Sequence, residues 1–243
     1  PSRLVGSEMC IRDSKDTALE YIKSHPFPLV IKVDGLAAGK GVVIAENLEQ
    51  ANNSINEIFS GKFGSAGNEI VIEEFLQGEE ASFFVISDGK SFIPLTSAQD
   101  HKRIGEGDKG LNTGGMGAYS PAPIMTKDLE KKTIDKIIKP TIQALNDYDT
   151  PFIGILYAGL MIKDNEPKLI EYNVRFGDPE CQVIIPRLEN DLIELLVNVK
   201  EKNLDNYVLK WKNNFAMTVV LAAKGYPENY QSGDCLLYTS PSP

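Results

Sequence analysis

The chain has 243 residues, of which 42% are hydrophobic and 24% charged, and its net charge is -9. This length suits one large domain or two small ones, and the composition is that of a globular protein rather than a disordered or fibrous one. The negative charge argues against general nucleic-acid binding, which needs a basic surface. Any site for an anionic ligand must therefore be locally basic.

No apolar run reaches the length of a membrane span. The strongest run, residues 215–223 (FAMTVVLAA), predicts a buried strand, and we expect no membrane partner. The sequence shows no signal peptide. The three cysteines, Cys10, Cys181 and Cys235, have neither the even count nor the spacing of a disulfide framework or a zinc site. These observations predict a reducing, cytoplasmic location.

The two ends of the chain differ from the rest. Residues 1–14 and 235–243 show no clear helix or strand period, and they hold two of the three cysteines. We predict that both are non-native extensions. The folded core is then expected over 15–234.

In the first half, turn residues separate short apolar runs. Asn47 and Gln50 have the spacing of a helix cap, and they precede an apolar face formed by Leu48, Ala51, Ile55, Ile58 and Phe59. Asp88-Gly89 is a hairpin signal between two strands. The predicted elements are a helix at 15–24, strands at 29–33, 42–45, 69–76, 81–87 and 90–95, and the helix that Asn47 caps.

In the second half, a long segment without any period, residues 99–123, precedes a helix that Thr126 caps and that runs to Leu145 with a kink at Pro140. Strands at 154–162 and 167–173, joined by a polar turn at Asp164 and Asn165, and a helix from Asn190 to Val199 follow. Strands and helices intermix without regular βαβ alternation. An α+β fold with antiparallel or mixed sheets is therefore favoured.

Residues 31–41 (IKVDGLAAGKG) form a glycine-rich loop that does not match the phosphate-binding P-loop, because its spacing and the residue after GK differ. Lys32 precedes the loop on a strand, where it shares a face with Val30 and Asp34. A buried lysine there would need an anion; the alternative is a solvent-facing lysine on an edge strand. Backbone amides around Lys40 could wrap a phosphate.

Residues 72–82 (IEEFLQGEEAS) carry four carboxylates in two pairs around an apolar hinge. A carboxylate at a strand end can accept hydrogen bonds from ribose hydroxyls, and the hinge backbone could read an adenine edge. A solvated acidic face is the alternative interpretation.

Residues 169–180 (LIEYNVRFGDPE) present Glu171, Asn173 and Arg175 on one face of a strand if the period is 2. A carboxylate and an amide oxygen suit a hard cation such as Mg²⁺, and the guanidinium suits a further anion. The alternative is an exposed hairpin face.

Residues 97–123 combine Asp100, His101, Lys102 and Arg103 with a glycine-rich turn at 114–117. Glycines in such a turn allow close approach of the backbone to a ligand. His101 is a candidate general base, but a structural role is favoured for a lone histidine beside two cationic residues.

Taken together, IKVDGLAAGKGV, IVIEEFLQGEEASF, QDHKR, NTGGMGAYSPAP, LYAGLMI and IEYNVRFGDPE resemble the motifs of the phosphoribosylamine–glycine ligase (glycinamide ribonucleotide synthetase) family, which belongs to the ATP-grasp superfamily. The resemblance covers about residues 15–234. Strand YAGLM lacks the carboxylate that many ATP-grasp enzymes carry there, a departure that matches this family. The family also has a domain on either side of this region, so we expect the core of a longer enzyme.

The resemblance implies an ATP-grasp fold in which two α+β subdomains clamp ATP. The small subdomain would cover 15–95, and 96–234 would hold the large subdomain and the start of a C-terminal region. Lys32 would contact phosphate under a mobile cover that contains Gly39, Lys40 and Gly41. The backbone of Glu73, Glu74, Phe75 and Leu76 would read adenine, and Glu80, or less favourably Glu79, would bind ribose. Glu171 and Asn173 would hold Mg²⁺ or Mn²⁺.

The implied reaction joins glycine to 5-phosphoribosylamine with ATP, through a glycyl phosphate, and gives glycinamide ribonucleotide, ADP and phosphate. Lys32, Lys40 and Arg175 would be catalytic. The expected substrate-binding residues are Asp100, Lys102, Asn112, Thr113, Gly114, Gly115, Met116, Arg175 and Asp178. A monomer is favoured. The alternatives are an ATP-binding fragment without catalysis and another ATP-grasp carboxylate–amine ligase.

Overall fold

The computed structural model describes residues 9–35, 41–107 and 109–233, which form two lobes, each built on an antiparallel sheet. The first lobe contains β1 (Met9–Arg12), α1 (Lys15–Ile22), β2 (Leu29–Val33), β3 (Val42–Ala45), α2 (Leu48–Glu57), a π-helical turn (Ile58–Lys62), a 3₁₀ turn (Gly64–Gly67) and β4 (Ile70–Glu74). Its strand order is β1-β4-β2-β3, so β2 is an interior strand.

The second lobe is larger. It contains β5 (Glu79–Asp88), β6 (Phe92–Pro94), β7 (Gln99–Asp100), β8 (Arg103–Gly105), β9 (Lys109–Asn112), β10 (Gly117–Ser120), α3 (Lys127–Thr133), a π-helical segment (Ile134–Ile138), α4 (Lys139–Asp147), β11 (Ile153–Lys163), β12 (Glu166–Asn173), α5 (Cys181–Ile184), a 3₁₀ turn (Ile185–Arg187), α6 (Leu192–Lys200), a 3₁₀ turn (Leu204–Asn206) and β13 (Ala216–Val219). Its main sheet has the order β12-β11-β5-β6, beside a three-stranded sheet β13-β10-β7 and the hairpin β8-β9.

Side-chain alternation in β2 explains the packing of the first lobe. Leu29, Ile31 and Val33 are buried under α1 and α2, in one core with Ile22 and Ile55. The intervening residues of β2 therefore face away from the helices. This places the opposite face of the sheet at the boundary with the second lobe.

Helices cover both faces of the main sheet of the second lobe. Phe83 and Val85 of β5 pack with the α3–α4 segment, whereas Phe84 and Ile86 pack with α5 and α6. Residues 79–94, which the predicted boundary at 95 assigns to the small subdomain, belong to this sheet because β5 pairs with β11 over ten residue pairs.

Several local predictions are confirmed. The side chain of Asn47 accepts a hydrogen bond from the Gln50 amide at 3.0 Å, and Thr126 caps α3 in the same way. Asp164 and Asn165 form the turn between β11 and β12 with φ values of 53° and 57°. Near Pro140 the chain forms a π-helical segment rather than a sharp break. Every strand pair among the described residues is antiparallel.

Other predictions need correction near turns and at the start of the chain. The β5–β6 turn is centred on Gly89 and Lys90, because the Asp88 carboxylate accepts the amides of Lys90 and Ser91 and so keeps Asp88 at the strand end. Asp191, not Asn190, caps α6. Residues 9–12, within the stretch that we set apart, add strand β1 to the edge of β4.

The segment 99–123 is not structureless, because it contains the four short strands β7 to β10. Few of their side chains are apolar, so hydrophobic periodicity did not reveal them. The prediction of a buried strand at 215–223 is also wrong. β13 is an edge strand, and Phe215, Met217 and Val219 are 83%, 75% and 64% exposed. An apolar run indicates a strand but not whether another layer covers it.

Among the described residues, no helix is both long and apolar enough to span a membrane.

The connection between the lobes depends on Gly78, whose φ is 154° and whose Cβ, if present, would lie 2.3 Å from the carbonyl oxygen of Ile162. We expect Gly78→Ala to lower the free energy of unfolding by about 2–4 kcal/mol, because both the backbone conformation and the close approach exclude a side chain. Gly107→Ala is the control: its φ is 72° and nothing lies within 4 Å, so a loss of about 1 kcal/mol is expected. Equal losses in urea denaturation would contradict the steric argument.

Candidate active site

A cavity of about 350 Å³ lies between the two lobes. Its wall combines β2 and β3 with the β4–β5 connection, the β8–β9 hairpin, β11, β12 and the residues after β12. The predicted residues that line it are Lys32, Glu73, Glu74, Phe75, Leu76, Glu80, Lys102, Asn112, Thr113, Glu171 and Arg175. Gly41, Asp100, Gly114, Gly115, Met116, Asn173 and Asp178 are not among its lining residues.

Lys32 has a carboxylate partner in this structure. Its Nζ lies 2.7 Å from Oε2 of Glu73, and the two side chains are 19% and 9% exposed. The alternative of an edge-strand lysine is wrong, because β2 lies between β4 and β3. A largely buried lysine beside a cavity can exchange its carboxylate partner for another anion such as phosphate.

The loop between β2 and β3 is only partly described. The Gly41 carbonyl accepts a hydrogen bond from the Val33 amide at 2.9 Å, so the loop is closed at its base. The predictions for Gly39 and Lys40 concern residues outside the described part of the chain.

The β4–β5 connection carries the acidic hinge. Glu74 pairs with Lys168 of β12 at 2.7 Å, a contact that joins the two lobes and that sequence reasoning did not anticipate. Glu80 lines the cavity and pairs with Lys102 at 3.1 Å. Glu79 instead accepts a hydrogen bond from Gln99 at 2.9 Å, away from the cavity lining. The four carboxylates therefore differ in role and do not form one solvated acidic face.

Burial and neighbouring charges shift the pKa values of Lys102 and Asp100, which lie near Glu80. Burial alone would lower the pKa of Lys102, but the carboxylates of Glu80, Asp100 and Glu171 outweigh it and raise that pKa above its ordinary value. Burial raises the pKa of Asp100 to about 6. The charge of Lys102 lowers this pKa, whereas the charges of Glu180 and Glu80 raise it further. Asp100 therefore titrates nearer to neutral pH than an ordinary aspartate.

The end of β12 departs from strict alternation. The register with β11 shifts between Gly159 and Leu160, which pair with Glu171 and Leu169, so that Ile170 of β12 is an extra, unpaired residue that forms a bulge. As a result, Ile170 and Glu171 both line the cavity, although a period of 2 predicts opposite faces. Tyr172 points away from the cavity, as the alternation predicts, and its hydroxyl forms a hydrogen bond of 2.6 Å with the Thr141 hydroxyl.

Glu171 and Asn173 remain neighbours, with Asn173 Nδ2 3.4 Å from Glu171 Oε1. One carboxylate and one amide oxygen suit Mg²⁺, which keeps several waters and takes phosphate oxygens as further ligands. No group of three or more His, Cys, Asp or Glu side chains that could form a complete protein cage occurs in the described ranges. The donor set therefore fits a cation shared with a phosphate ligand.

Two loops meet behind the cavity. Gly115 has φ 126°, and a Cβ there would lie 2.4 Å from Pro179, so the glycine turn packs directly on the loop after β12. Asp178 accepts a hydrogen bond from Gln182 at 2.7 Å, and Arg175 donates to the Phe176 carbonyl at 2.8 Å while it lines the cavity. The His101 ring packs near Tyr119, with centroids 5.4 Å apart.

Comparison with known proteins fits this architecture. Residues 3–181 match the family model of the phosphoribosylglycinamide synthetase ATP-grasp (A) domain. This chain belongs to that family. The match begins inside the stretch 1–14, whose non-native origin stays a prediction.

Curated and solved relatives agree with the family model. A phosphoribosylamine–glycine ligase of Brucella melitensis is 54% identical over 219 residues, which cover 90% of this chain and 51% of that protein. A chloroplastic phosphoribosylamine–glycine ligase of Arabidopsis thaliana is 53% identical over 222 residues, which cover 90% of this chain and 42% of that protein. A crystal structure of the Thermotoga maritima ligase superposes with a TM-score of 0.83 at 33% identity and covers 94% of this chain and 57% of that one. The chain spans about half the length of these relatives.

Sequence reasoning missed five of the residues that line the cavity. These are the apolar residues Val30, Val42, Ile44, Met161 and Ile170. Strand alternation could have indicated Val30, because Val30 shares a face with Lys32. Ile170 could not be found in this way, because the bulge breaks the alternation there. No local signal distinguishes Met161 from a core residue.

The raised pKa of Asp100 leads to a pH-dependent prediction. Because the folded pKa, about 6, exceeds the unfolded value of 3.8, ionisation of Asp100 destabilises the fold, and this penalty grows as pH rises from about 4 to above 6. Asp100→Asn should therefore stabilise the protein more at pH 7.5 than at pH 5, by about 1 kcal/mol in urea denaturation.

Asp205→Asn is the control for this measurement. Hydrogen bonds from Ser91 and Lys90 lower the pKa of Asp205, so both its folded and unfolded values lie below pH 5. Its effect should not change between the two pH values. A pH-independent effect of Asp100→Asn would contradict the raised pKa.

Proposed function

We propose that this chain is the ATP-binding core of a phosphoribosylamine–glycine ligase. The observation that carries the proposal is the cavity between the lobes, which joins Lys32 of β2, the hinge at 73–76 and Glu171 of β12 in a chain of this family. The proposed reaction converts ATP, glycine and 5-phosphoribosylamine into glycinamide ribonucleotide, ADP and phosphate.

The nucleotide would lie along this cavity. The apolar residues Val30, Ile44, Met161 and Ile170 suit the faces of a purine ring, and the backbone of Glu73 to Leu76 suits its edge. Glu80 is our choice for ribose over Glu79, because Glu80 lines the cavity. Lys32 would then exchange its contact with Glu73 for the phosphates.

Glu171 and Asn173 would hold Mg²⁺ or Mn²⁺ at the phosphate end. A cation there supplies charge neutralisation for phosphoryl transfer. The cationic side chains of the cavity, Lys32, Lys102 and Arg175, contribute in the same direction from the protein. We also assign Gly39, Lys40 and Gly41 to the cover over the phosphates.

The ligation needs no enzyme nucleophile. A glycine carboxylate oxygen attacks the γ-phosphorus, ADP leaves, and the amine nitrogen of phosphoribosylamine then attacks the acyl carbon as phosphate departs and the nitrogen loses a proton. The enzyme's task is to position the reactants and neutralise charge, and we assign Lys32, Lys40 and Arg175 to it.

For the other two substrates we propose Arg175, Lys102, Asn112 and Thr113 at the cavity. Asp100, Gly114, Gly115, Met116 and Asp178 would support them from behind it. A monomer in the cytoplasm remains our proposal for assembly and location.

Phosphate release from ATP tests the function. We expect release by the purified chain or its full-length parent to require both glycine and 5-phosphoribosylamine. Release without one of them from the full-length protein would contradict the ligase. Release by the parent but not by this chain would identify this chain as an ATP-binding fragment without catalysis. That fragment is our second candidate, because the chain spans about half the length of its curated relatives.

Binding of Mg-ATP tests the assigned residues. Lys32→Ala and Glu171→Ala should each weaken the affinity in calorimetry roughly tenfold or more, because each removes a charged partner of the phosphate–cation unit. Lys62→Ala and Glu166→Ala are matched controls, since both residues lie in exposed ion pairs away from the cavity. Unchanged affinity in the first pair, or equal losses in all four variants, would count against the assignment.

A further inference from the structure

Three buried polar side chains meet beneath the loop that follows β12. Oε1 of Glu180 accepts hydrogen bonds from the Ser82 hydroxyl at 2.9 Å and from the Tyr157 hydroxyl at 2.8 Å. The two hydroxyl oxygens are themselves 2.9 Å apart. The residues come from β5, β11 and the end of the loop, and they are 1%, 6% and 1% exposed, in the order Ser82, Tyr157 and Glu180.

Glu180 has no ion pair within the described ranges. A buried carboxylate without a cation is unfavourable unless hydrogen bonds offset its desolvation. Burial, with the charges of Glu180 and Asp100, raises the pKa of Tyr157 far above its ordinary value, so the phenol stays neutral and donates. The network is therefore satisfied only when Glu180 lies against β5 and β11.

This contact fixes one end of the loop 174–180. A Cβ on Gly177 would lie 2.2 Å from Oε2 of Glu180, so the loop backbone rests on the carboxylate itself. On the other side, Pro179 packs against Gly115. The loop is thus held from below by Glu180 and from the side by the glycine turn, while Arg175 extends to the cavity.

We propose that Glu180 is a positioning residue, whose hydrogen bonds to Ser82 and Tyr157 hold the loop 174–180 against the sheet and so keep Arg175 at the cavity wall. That Arg175 then grips a substrate rests on the proposed function. Glu180 itself does not line the cavity, so its assigned role is to position Arg175.

The first measurement is amide hydrogen exchange of residues 174–180 in the ligand-free chain. Glu180→Ala removes both hydrogen bonds and should speed exchange in this loop roughly tenfold or more, while the β2–β3 amides of the first lobe stay within about twofold of wild type. Glu180→Gln keeps an acceptor oxygen and should restore most of the protection. Glu194→Ala, at an exposed position on α6, is the control and should leave the loop unchanged.

The second measurement separates the carboxylate from mere packing. Lys102, Glu80 and Glu180 are the charged groups that act on Asp100. In Glu180→Gln, the pKa of Asp100, followed by carboxyl NMR, should fall below about 6 but stay raised, because burial, the larger cause of the shift, remains. Loss of packing alone would not produce this shift in a variant that keeps the loop protected.

Unchanged exchange in the loop of Glu180→Ala, or equal acceleration in both lobes, would overturn the proposal. If Glu180→Ala does not fold, Tyr157→Phe serves instead, because it removes one donor and keeps the ring; normal loop protection in that variant would equally overturn it. These readouts need no substrate. Failure of wild-type phosphate release would therefore refute the ligase function and leave the role of Glu180 to be judged separately.

Discussion

The ion pair between Lys32 and Glu73 is the contact around which the cavity is arranged. Strand alternation turns Lys32 away from the helices of the first lobe, and the interior position of β2 denies it free access to bulk water. A lysine in that position needs an anion, and Glu73 of the neighbouring strand provides one at 2.7 Å. The same face of the sheet thus carries an apolar surface and one cation, the two features that a nucleotide requires.

The cavity repeats this pattern of lysine–carboxylate pairing. Lys168 holds Glu74 and Lys102 holds Glu80, so three of the four hinge carboxylates are engaged with lysines. The cavity lining carries three cationic side chains, Lys32, Lys102 and Arg175, and four carboxylates, Glu73, Glu74, Glu80 and Glu171, so it is not basic overall, contrary to the expectation from the net charge. The Glu74–Lys168 pair joins the hinge to the second lobe, whereas the Lys32–Glu73 pair would have to open for a phosphate to reach Lys32.

Behind this charged wall lies a second layer whose buried carboxylate, Glu180, has no cationic partner among the described residues. Glu180, Ser82 and Tyr157 join the long β5–β11 pairing to the loop that carries Arg175. The two layers use opposite solutions to the same problem of burying charge. Ion pairs at the cavity can be exchanged for ligand phosphates, whereas a network of neutral donors has no such alternative partner and so suits a permanent support.

Local sequence signals determined much of this protein, because they act over a few residues. The cap at Asn47, the positive-φ turn at Asp164 and Asn165 and the alternation of β2 depend on neighbouring residues only. Six motifs in order were also enough to indicate the family that the comparisons then showed.

Only the tertiary structure decided which strands are interior, which faces are covered and where the register slips. β2 is interior because it lies between β3 and β4, and the apolar run at 215–223 lies on an uncovered edge. The bulge at Ile170 arises from the pairing of β12 with β11. Glu180 meets Ser82 across 98 positions of the chain. These features depend on contacts between distant segments, whose geometry leaves no periodic trace in the residues that make them.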